Sequence, residues 1–201
     1  MLTDHYYSRH VEAESKPMYW EEDLRGHRLH FKTDQGVFSK KAVDFGSKLL
    51  VNLFEEPEIA GPILDVGCGY GPIGLTIAKS FPTRTIHMVD VNERALALAK
   101  ENASNNKLTN AVIYESDRLQ QVKEKNFTAI ITNPPIRAGK KVVHDIFTQS
   151  YHHLTNEGSL WVVIQKKQGA PSAQQKLQEI FHSVEILNKK KGYYILKAKK
   201  G

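Results

Sequence analysis

The feature that most limits what this chain can fold into is a glycine-rich turn, Asp65-Val-Gly-Cys-Gly-Tyr-Gly-Pro-Ile-Gly74, lying between an apolar stretch and a helix-like one. Apolar residues 62–66 lead into it, and the helical pattern of residues 72–81 leaves it. Glycine lets the backbone turn sharply and approach a ligand with no Cβ in the way. Pro72 suits the first helical turn, where its missing N–H costs nothing. A strand, a glycine turn and a helix in that order make a seat for a bulky cofactor.

The same rhythm continues along the chain. Apolar residues 85–91 precede an alanine-rich helix over 92–105. Strand patterns follow at 111–114 and 127–132, a helix at 140–154, a strand at 159–165, a helix at 173–182, and strands near Val184 and Tyr194. Strands alternating with helices of this length imply a parallel sheet covered on both faces. Gly192, between Lys191 and Tyr193, reads as a turn, so the last two strands form a hairpin that puts one antiparallel strand into the sheet. The texture changes near residue 57, at Glu55-Glu-Pro-Glu58. Residues 1–56 are therefore expected to form an N-terminal extension, a lid or brace, and residues 57–201 the main domain. In the extension, residues 20–24 and 28–32 flank Arg25-Gly26-His27 as a short hairpin, and Ser39 is placed to cap a helix over 40–54.

The 201 residues, 40% of them hydrophobic, suffice for one substantial core. No apolar run reaches the roughly 20 residues that span a bilayer, and the polar start has no apolar signal region, so no membrane partner and a cytoplasmic location are expected. Cys68, the single cysteine, has no disulfide partner, and no Cys/His spacing suggests a metal site. A formal charge of +6 favours a polyanionic partner.

Gly69, Gly71 and Gly74 alone also fit a dinucleotide-binding pattern, which keeps an NAD oxidoreductase in view. Two carboxylates weigh on the choice. Asp90, ending the second strand, can accept both hydroxyls of an adenosine ribose, with Val91 beside it. Asp65 would be repelled by a pyrophosphate but welcome near a sulfonium and an ammonium group, which favours S-adenosyl-L-methionine. It can also bond backbone N–H groups of the loop, and the two roles are compatible. Gly67, Cys68, Gly69 and Gly71 form the turn beneath the cofactor, Cys68 as a small residue tolerated there rather than a nucleophile. Ser116-Asp117 can reach the adenine amine or cap a helix.

The strand at 127–132 ends abruptly in Asn133-Pro134-Pro135-Ile136. Pro134 forces Asn133 into an extended conformation, and two successive prolines remove two backbone donors, leaving a rigid edge of acceptors. The Asn133 amide oxygen and the Pro134 carbonyl suit the two hydrogens of an exocyclic base amine. Holding that amine turns the nitrogen lone pair toward a methyl donor, and transfer then needs positioning more than a strong base. An ordinary proline turn is the plainer reading of the same residues.

Asp65-Val-Gly-Cys-Gly69 and Asn133-Pro-Pro-Ile136 resemble motifs I and IV of class I methyltransferases that modify amino groups. Gly36-Val-Phe-Ser39 and Asp44-Phe-Gly-Ser47 are similar to the segment before motif I in the small-subunit ribosomal RNA guanine-N2 methyltransferases, and the likeness runs from about Thr33 to the C-terminus. The resemblance implies a Rossmann-like, doubly wound, mostly parallel seven-stranded sheet with a terminal antiparallel strand. It also implies S-adenosyl-L-methionine at the strand C-terminal ends, with Phe38, Ser39 and Gly46 closing over it. Guanine N2 of ribosomal RNA would meet Asn133 and its neighbours. Larger members resemble a duplicated protein with a degenerate N-terminal copy, so RNA docking is expected to be arranged differently here. At the fourth motif position, commonly aromatic, Ile136 offers an apolar face without a ring.

Arg137, Lys140 and Lys141 lie where substrate phosphates would pass. Lys189, Lys190 and Lys191 with Lys197, Lys199 and Lys200 either enlarge that surface or form a solvated basic edge. Tyr6, Tyr7, Tyr19 and Trp20 suit base stacking or packing of the extension equally. His152-His153 reads as one buried and one solvated ring. Two further functions fit the same residues: a methyltransferase acting on a protein glutamine amide, and a noncatalytic RNA-binding or assembly module of the same fold.

Overall fold

In the computed structural model, which describes Arg9, residues 14–39 and residues 41–201, a hairpin and a helix precede an alternating α/β unit. The hairpin pairs β1 (Met18–Leu24) with β2 (His27–Thr33), and α1 spans Phe45–Leu53. Then come β3 (Ile63–Val66), α2 (Pro72–Ser80), β4 (Ile86–Asp90), α3 (Glu93–Asn105), β5 (Ala111–Glu115) and β6 (Phe127–Thr132). The chain ends with α4 (Lys140–His153), β7 (Leu154–Gln165), α5 (Ala170–Ile180), β8 (Ser183–Lys190) and β9 (Tyr193–Lys199).

The main sheet runs β5-β4-β3-β6-β7-β9-β8. Every residue of β3 and β6 is buried, as expected of central parallel strands covered on both faces. The chain winds outward from β3 through β4 to β5, then returns to the other side of β3 with β6. The order thus reverses between β3 and β6, and a crevice opens at such a point outside the carboxyl ends of the strands. β9 is the one reversed strand of this sheet. It sits between β7 and β8 rather than at the edge, and the left-handed Lys191 and Gly192 close the β8–β9 turn.

The extension shares a core with the rest of the chain. Leu24, Leu29 and Phe31 of the hairpin pack in one cluster with Leu50 and Val51 of α1 and with Ile63, Leu75 and Ile77, while Leu64, Ile130, Phe147 and Leu160 belong to the cluster on the opposite face of the sheet. β2 would present an unpaired edge, but two side-chain amides one helical turn apart, Asn102 of α3 and Asn106 at its C-cap, pair with it. Asn102 accepts from Lys32 N at 2.7 Å and donates to Lys32 O at 3.0 Å; Asn106 does the same for His30 at 2.9 and 2.7 Å. At the hairpin turn, Arg25 and Gly26 are both left-handed, and the Arg25 guanidinium donates to Val51 O and Phe54 O, closing the C-terminal end of α1.

Several stretches depart from the sequence expectation; β7, for one, begins at Leu154 rather than at residue 159. α1 begins at Phe45, not at residue 40, because Asp44 rather than Ser39 caps it, its carboxylate accepting from Ser47 N at 3.0 Å. Ser39 is left-handed, and its hydroxyl donates to Ala42 O. α5 begins at Ala170 instead of 173: left-handed Gly169 breaks the chain there, and Pro171 fits the first helical turn. No helix follows Ser116-Asp117, where residues 117–121 form a turn in which Gln121 N donates to Ser116 Oγ. Tyr6 and Tyr7 lie outside the described residues. Trp20 packs on Phe31 and Tyr70, at ring separations of 5.0 and 5.9 Å, whereas Tyr19 is exposed. Of the histidine pair, His153 is buried and His152 exposed.

Candidate active site

The carboxyl ends of β3, β4 and β6 surround a cavity of about 500 Å³, within the usual range for sites that take a small organic ligand. Its floor is the turn after β3. Gly67 and Gly69 have φ of +73° and +56°, a conformation that excludes most side chains, and a Cβ on either would meet nothing within 4 Å. The glycines are there for backbone shape. The turn is tied to β4 by Gly67 N and Cys68 N, which both donate to Val89 O.

Asp90 faces this turn. Its carboxylate accepts from Gly69 N at 2.8 Å and Asn92 N at 2.9 Å, and desolvation raises its pKa above the ordinary value. Asp65 lies behind the wall rather than on it. One carboxylate oxygen accepts from Gly74 N at 2.8 Å, bracing the start of α2, and the other is buried with no partner among the described residues. Burial first, and then the Asp90 carboxylate, lift Asp65 to about 7. Burial also pushes the Cys68 thiol well up, which keeps it protonated and a poor nucleophile.

Opposite the turn stands Asn133. Its amide nitrogen donates to Ser47 Oγ at 3.1 Å and approaches both Asp44 carboxylate oxygens at 3.4 and 3.5 Å. A carboxylate can only accept, so the NH₂ of Asn133 must face Asp44. The amide oxygen then points away from it, and no described residue donates to that oxygen.

Of the residues expected from sequence, Phe38, Ser39, Gly67, Cys68, Gly69, Asp90, Val91, Asp117, Asn133, Pro134, Pro135 and Arg137 line the cavity. Gly46 does not. A Cβ there would stand 2.7 Å from the Tyr193 ring, so its smallness serves helix–sheet packing. Gly71 is the left-handed residue at the start of α2, against Leu75. Ile136 opens a 3-10 turn, Ile136–Ala138, which turns its side chain onto the second apolar cluster and Arg137 toward the cavity. Lys140 and Lys141 are exposed beyond the rim. Asp117 is on the wall, but its carboxylate is bound by the Arg118 guanidinium at 2.7 and 2.9 Å, and Arg118 also pairs with Asp145.

Sequence reading missed Asp44, Ser47, Tyr70, Arg118, Val142 and Ile146 on the same wall. The Asp44-x-x-Ser47 spacing carried the helix-cap signal for two of them; nothing local marks the others.

The lysines fall into two groups. Lys197 pairs with Glu55 and Lys199 with Glu157, while Lys200 donates to Leu154 O, all toward the amino ends of the parallel strands. Lys189, Lys190 and Lys191 are exposed at the carboxyl ends, and no described acidic group lies within 4 Å of them.

Residues 28–197 match the family described as methyltransferase small domain. The Bacillus subtilis protein YbxB, itself uncharacterized, is 58% identical over 200 residues, which cover 99% of this chain and 100% of that protein. Ribosomal RNA small subunit methyltransferase C of Vibrio cholerae is 30% identical over 182 residues, 89% of this chain and 52% of that protein, so the chain spans about half the length of that relative. Among solved structures, the T. thermophilus 16S rRNA N2 methyltransferase in complex with AdoMet and guanosine has a TM-score of 0.83 over 94% of this chain and 52% of that one. Its sequence identity is 24%, and the likeness is one of fold.

Proposed function

Since the chain belongs to the methyltransferase small domain family, we propose that it moves a methyl group from S-adenosyl-L-methionine to an exocyclic base amine, guanine N2 of ribosomal RNA, in the cytoplasm. The observation that carries this reading is the orientation of Asn133. Asp44 and Ser47 hold its NH₂ and leave its oxygen as an acceptor, beside the carbonyl of Pro134. Two acceptors on a proline-stiffened edge fit the two hydrogens of an amine. Bound that way, the nitrogen would keep its lone pair for attack; the N–C bond would form as the donor's S–C bond broke to leave the thioether S-adenosylhomocysteine, and the surplus proton would then pass to water.

The donor set suits the cofactor. Asp90 fits a ribose diol, and the mostly apolar wall of Val37, Val66, Ile73 and Ala95 suits an adenine ring. The unpartnered Asp65 oxygen, one strand position before the turn, favours a cation nearby over a pyrophosphate. When bound, S-adenosyl-L-methionine supplies an electrophilic methyl group. The protein's part is to hold the amine still, exclude water and shield the developing charge. Arg137 on the wall, with Lys140 and Lys141 outside it, suits the phosphates flanking the target base.

The test is transfer of labelled methyl from S-adenosyl-L-methionine to ribosomal RNA, with nucleoside analysis of the product. N2-methylguanosine is the expected product. Label on a protein glutamine amide would replace the RNA reading, and binding of S-adenosylhomocysteine with no transfer to either would favour a noncatalytic module.

A further inference from the structure

The cations at the carboxyl edge of the sheet lie in strand order. Arg137 follows β6, Lys166 and Lys167 follow β7, and Lys189, Lys190 and Lys191 end β8 and make the turn into β9. All six are exposed, and none has an acidic partner within 4 Å among the described residues. Three strand spacings separate β6 from β8, roughly 15 Å. That is about the rise of four stacked nucleotides at ~3.4 Å each.

The far end of this row is joined to the cavity wall. Lys166 N donates to Gly192 O at 2.8 Å, tying the hairpin tip to the loop after β7. Lys191 Nζ lies 4.8 Å from the centre of the Phe45 ring, and Phe45 packs on Tyr193 at 5.6 Å. Phe45 directly follows Asp44, the residue that orients Asn133. The absent side chain of Gly46 leaves the room in which the Tyr193 ring sits. The tip is thus a fixed outwork of the site.

We propose that this edge is the docking surface for the RNA strand next to the target nucleotide, with the Lys189–Lys191 tip holding phosphates that Arg137 and its neighbours do not reach. The proposal rests on the RNA reading above and adds where the strand runs. A polyanion is the partner that suits cations held in a row without counter-charges; an acidic protein surface is the alternative the experiment separates.

The experiment compares full-length wild type with Lys189→Gln/Lys190→Gln/Lys191→Gln and with the matching triple Arg variant. RNA affinity is measured over a salt series with a short single-stranded RNA and with small-subunit ribosomal RNA. The Gln variant should bind about tenfold more weakly, with its salt slope reduced by about 2, at ~0.7 per lost contact. Its melting temperature and its affinity for S-adenosylhomocysteine should match wild type. The Arg variant should restore both affinity and slope, because phosphates accept either cation. Unchanged affinity and slope in the Gln variant would overturn the proposal, as would equal loss in the Gln and Arg variants or a wild type that does not bind RNA. Methyl transfer is read separately: a wild type that binds RNA through this edge without methylating it sinks the assigned activity and leaves the docking surface standing.

Discussion

The two ends of the parallel sheet use the same kinds of side chain in opposite ways. At the amino end they are spent on the fold. Arg84 donates to Ile59 O and Gly61 O and pairs with Glu56, Asn110 donates to Ala78 O, Phe81 O and Arg84 O, and Lys197 and Lys199 have acidic partners. At the carboxyl end comparable groups are left with capacity to spare: the Asn133 oxygen, one oxygen of Asp65 and the tip lysines. An oriented polar group is costly to leave unsatisfied, so the Asn133 oxygen on the cavity wall marks where a ligand completes it.

A pair of asparagines tests that division most severely. Asn133→Ala should cut methyl transfer by about 10²–10³-fold while S-adenosylhomocysteine affinity stays within about threefold. Asn110→Ala should do the reverse, losing three carbonyl partners and ~1–2 kcal/mol of stability with kcat unchanged. Thermal melts and single-turnover transfer on both variants decide it. If Asn133→Ala unfolds the protein, or Asn110→Ala slows transfer, the division fails.

The next effect concerns Asp65. Burial raises its carboxyl from 3.8 to about 7, so the folded protein holds a proton there that the unfolded chain has released. Its contribution to stability is therefore greatest below about pH 4 and declines as pH rises to about 7. A cationic ligand prefers the ionised form, so affinity for S-adenosylhomocysteine, through its ammonium group, should weaken as pH falls below about 7, by up to about tenfold per unit. Calorimetric titration from pH 8 to 5.5 should also show proton release on binding near neutrality. A flat profile would leave Asp65 as a brace for Gly74 alone.

The regular frame of this arrangement could be read from sequence because it is written locally. The unbroken apolar run at Phe127–Thr132 makes a central strand, and Gly192 makes the last turn whatever surrounds it. The start of α1 could not be settled locally, since Ser39 and Asp44 both offer a capping oxygen and only packing distinguishes them. Val43 is buried and Asp44 meets Asn133 from 89 positions away. The direction of Ile136 is hidden for a related reason: its motif position says nothing about the 3-10 turn that lays its half-buried side chain against the second apolar cluster. Arg118, left-handed and locked between Asp117 and Asp145, reaches the cavity through a loop with no periodic signal.

That long-range contact sharpens the comparison at its centre. Asn caps a helix about as well as Asp, so Asp44→Asn should leave the melting temperature unchanged. It removes the acceptor-only partner, however, and lets the Asn133 amide turn over, so kcat should fall about tenfold with the KM for RNA held. Equal loss of S-adenosylhomocysteine binding would instead assign Asp44 to the ligand.

The smallest effect is expected where the lysines are already paired. Lys197→Gln/Lys199→Gln removes two cations from the amino end, where solvent-screened pairs of this kind contribute little to stability. RNA affinity should change by less than about twofold and the salt slope should stay within about 0.5 of wild type, because these side chains neutralise Glu55 and Glu157 rather than phosphates. The double variant loses the same charge per residue as the tip variant. A loss of RNA affinity comparable, residue for residue, to that of the tip variant would mean that net charge, not position on the sheet, governs RNA binding. An effect confined to the tip means that the acidic partners, by occupying one set of lysines and not the other, determine which end of the sheet the RNA meets.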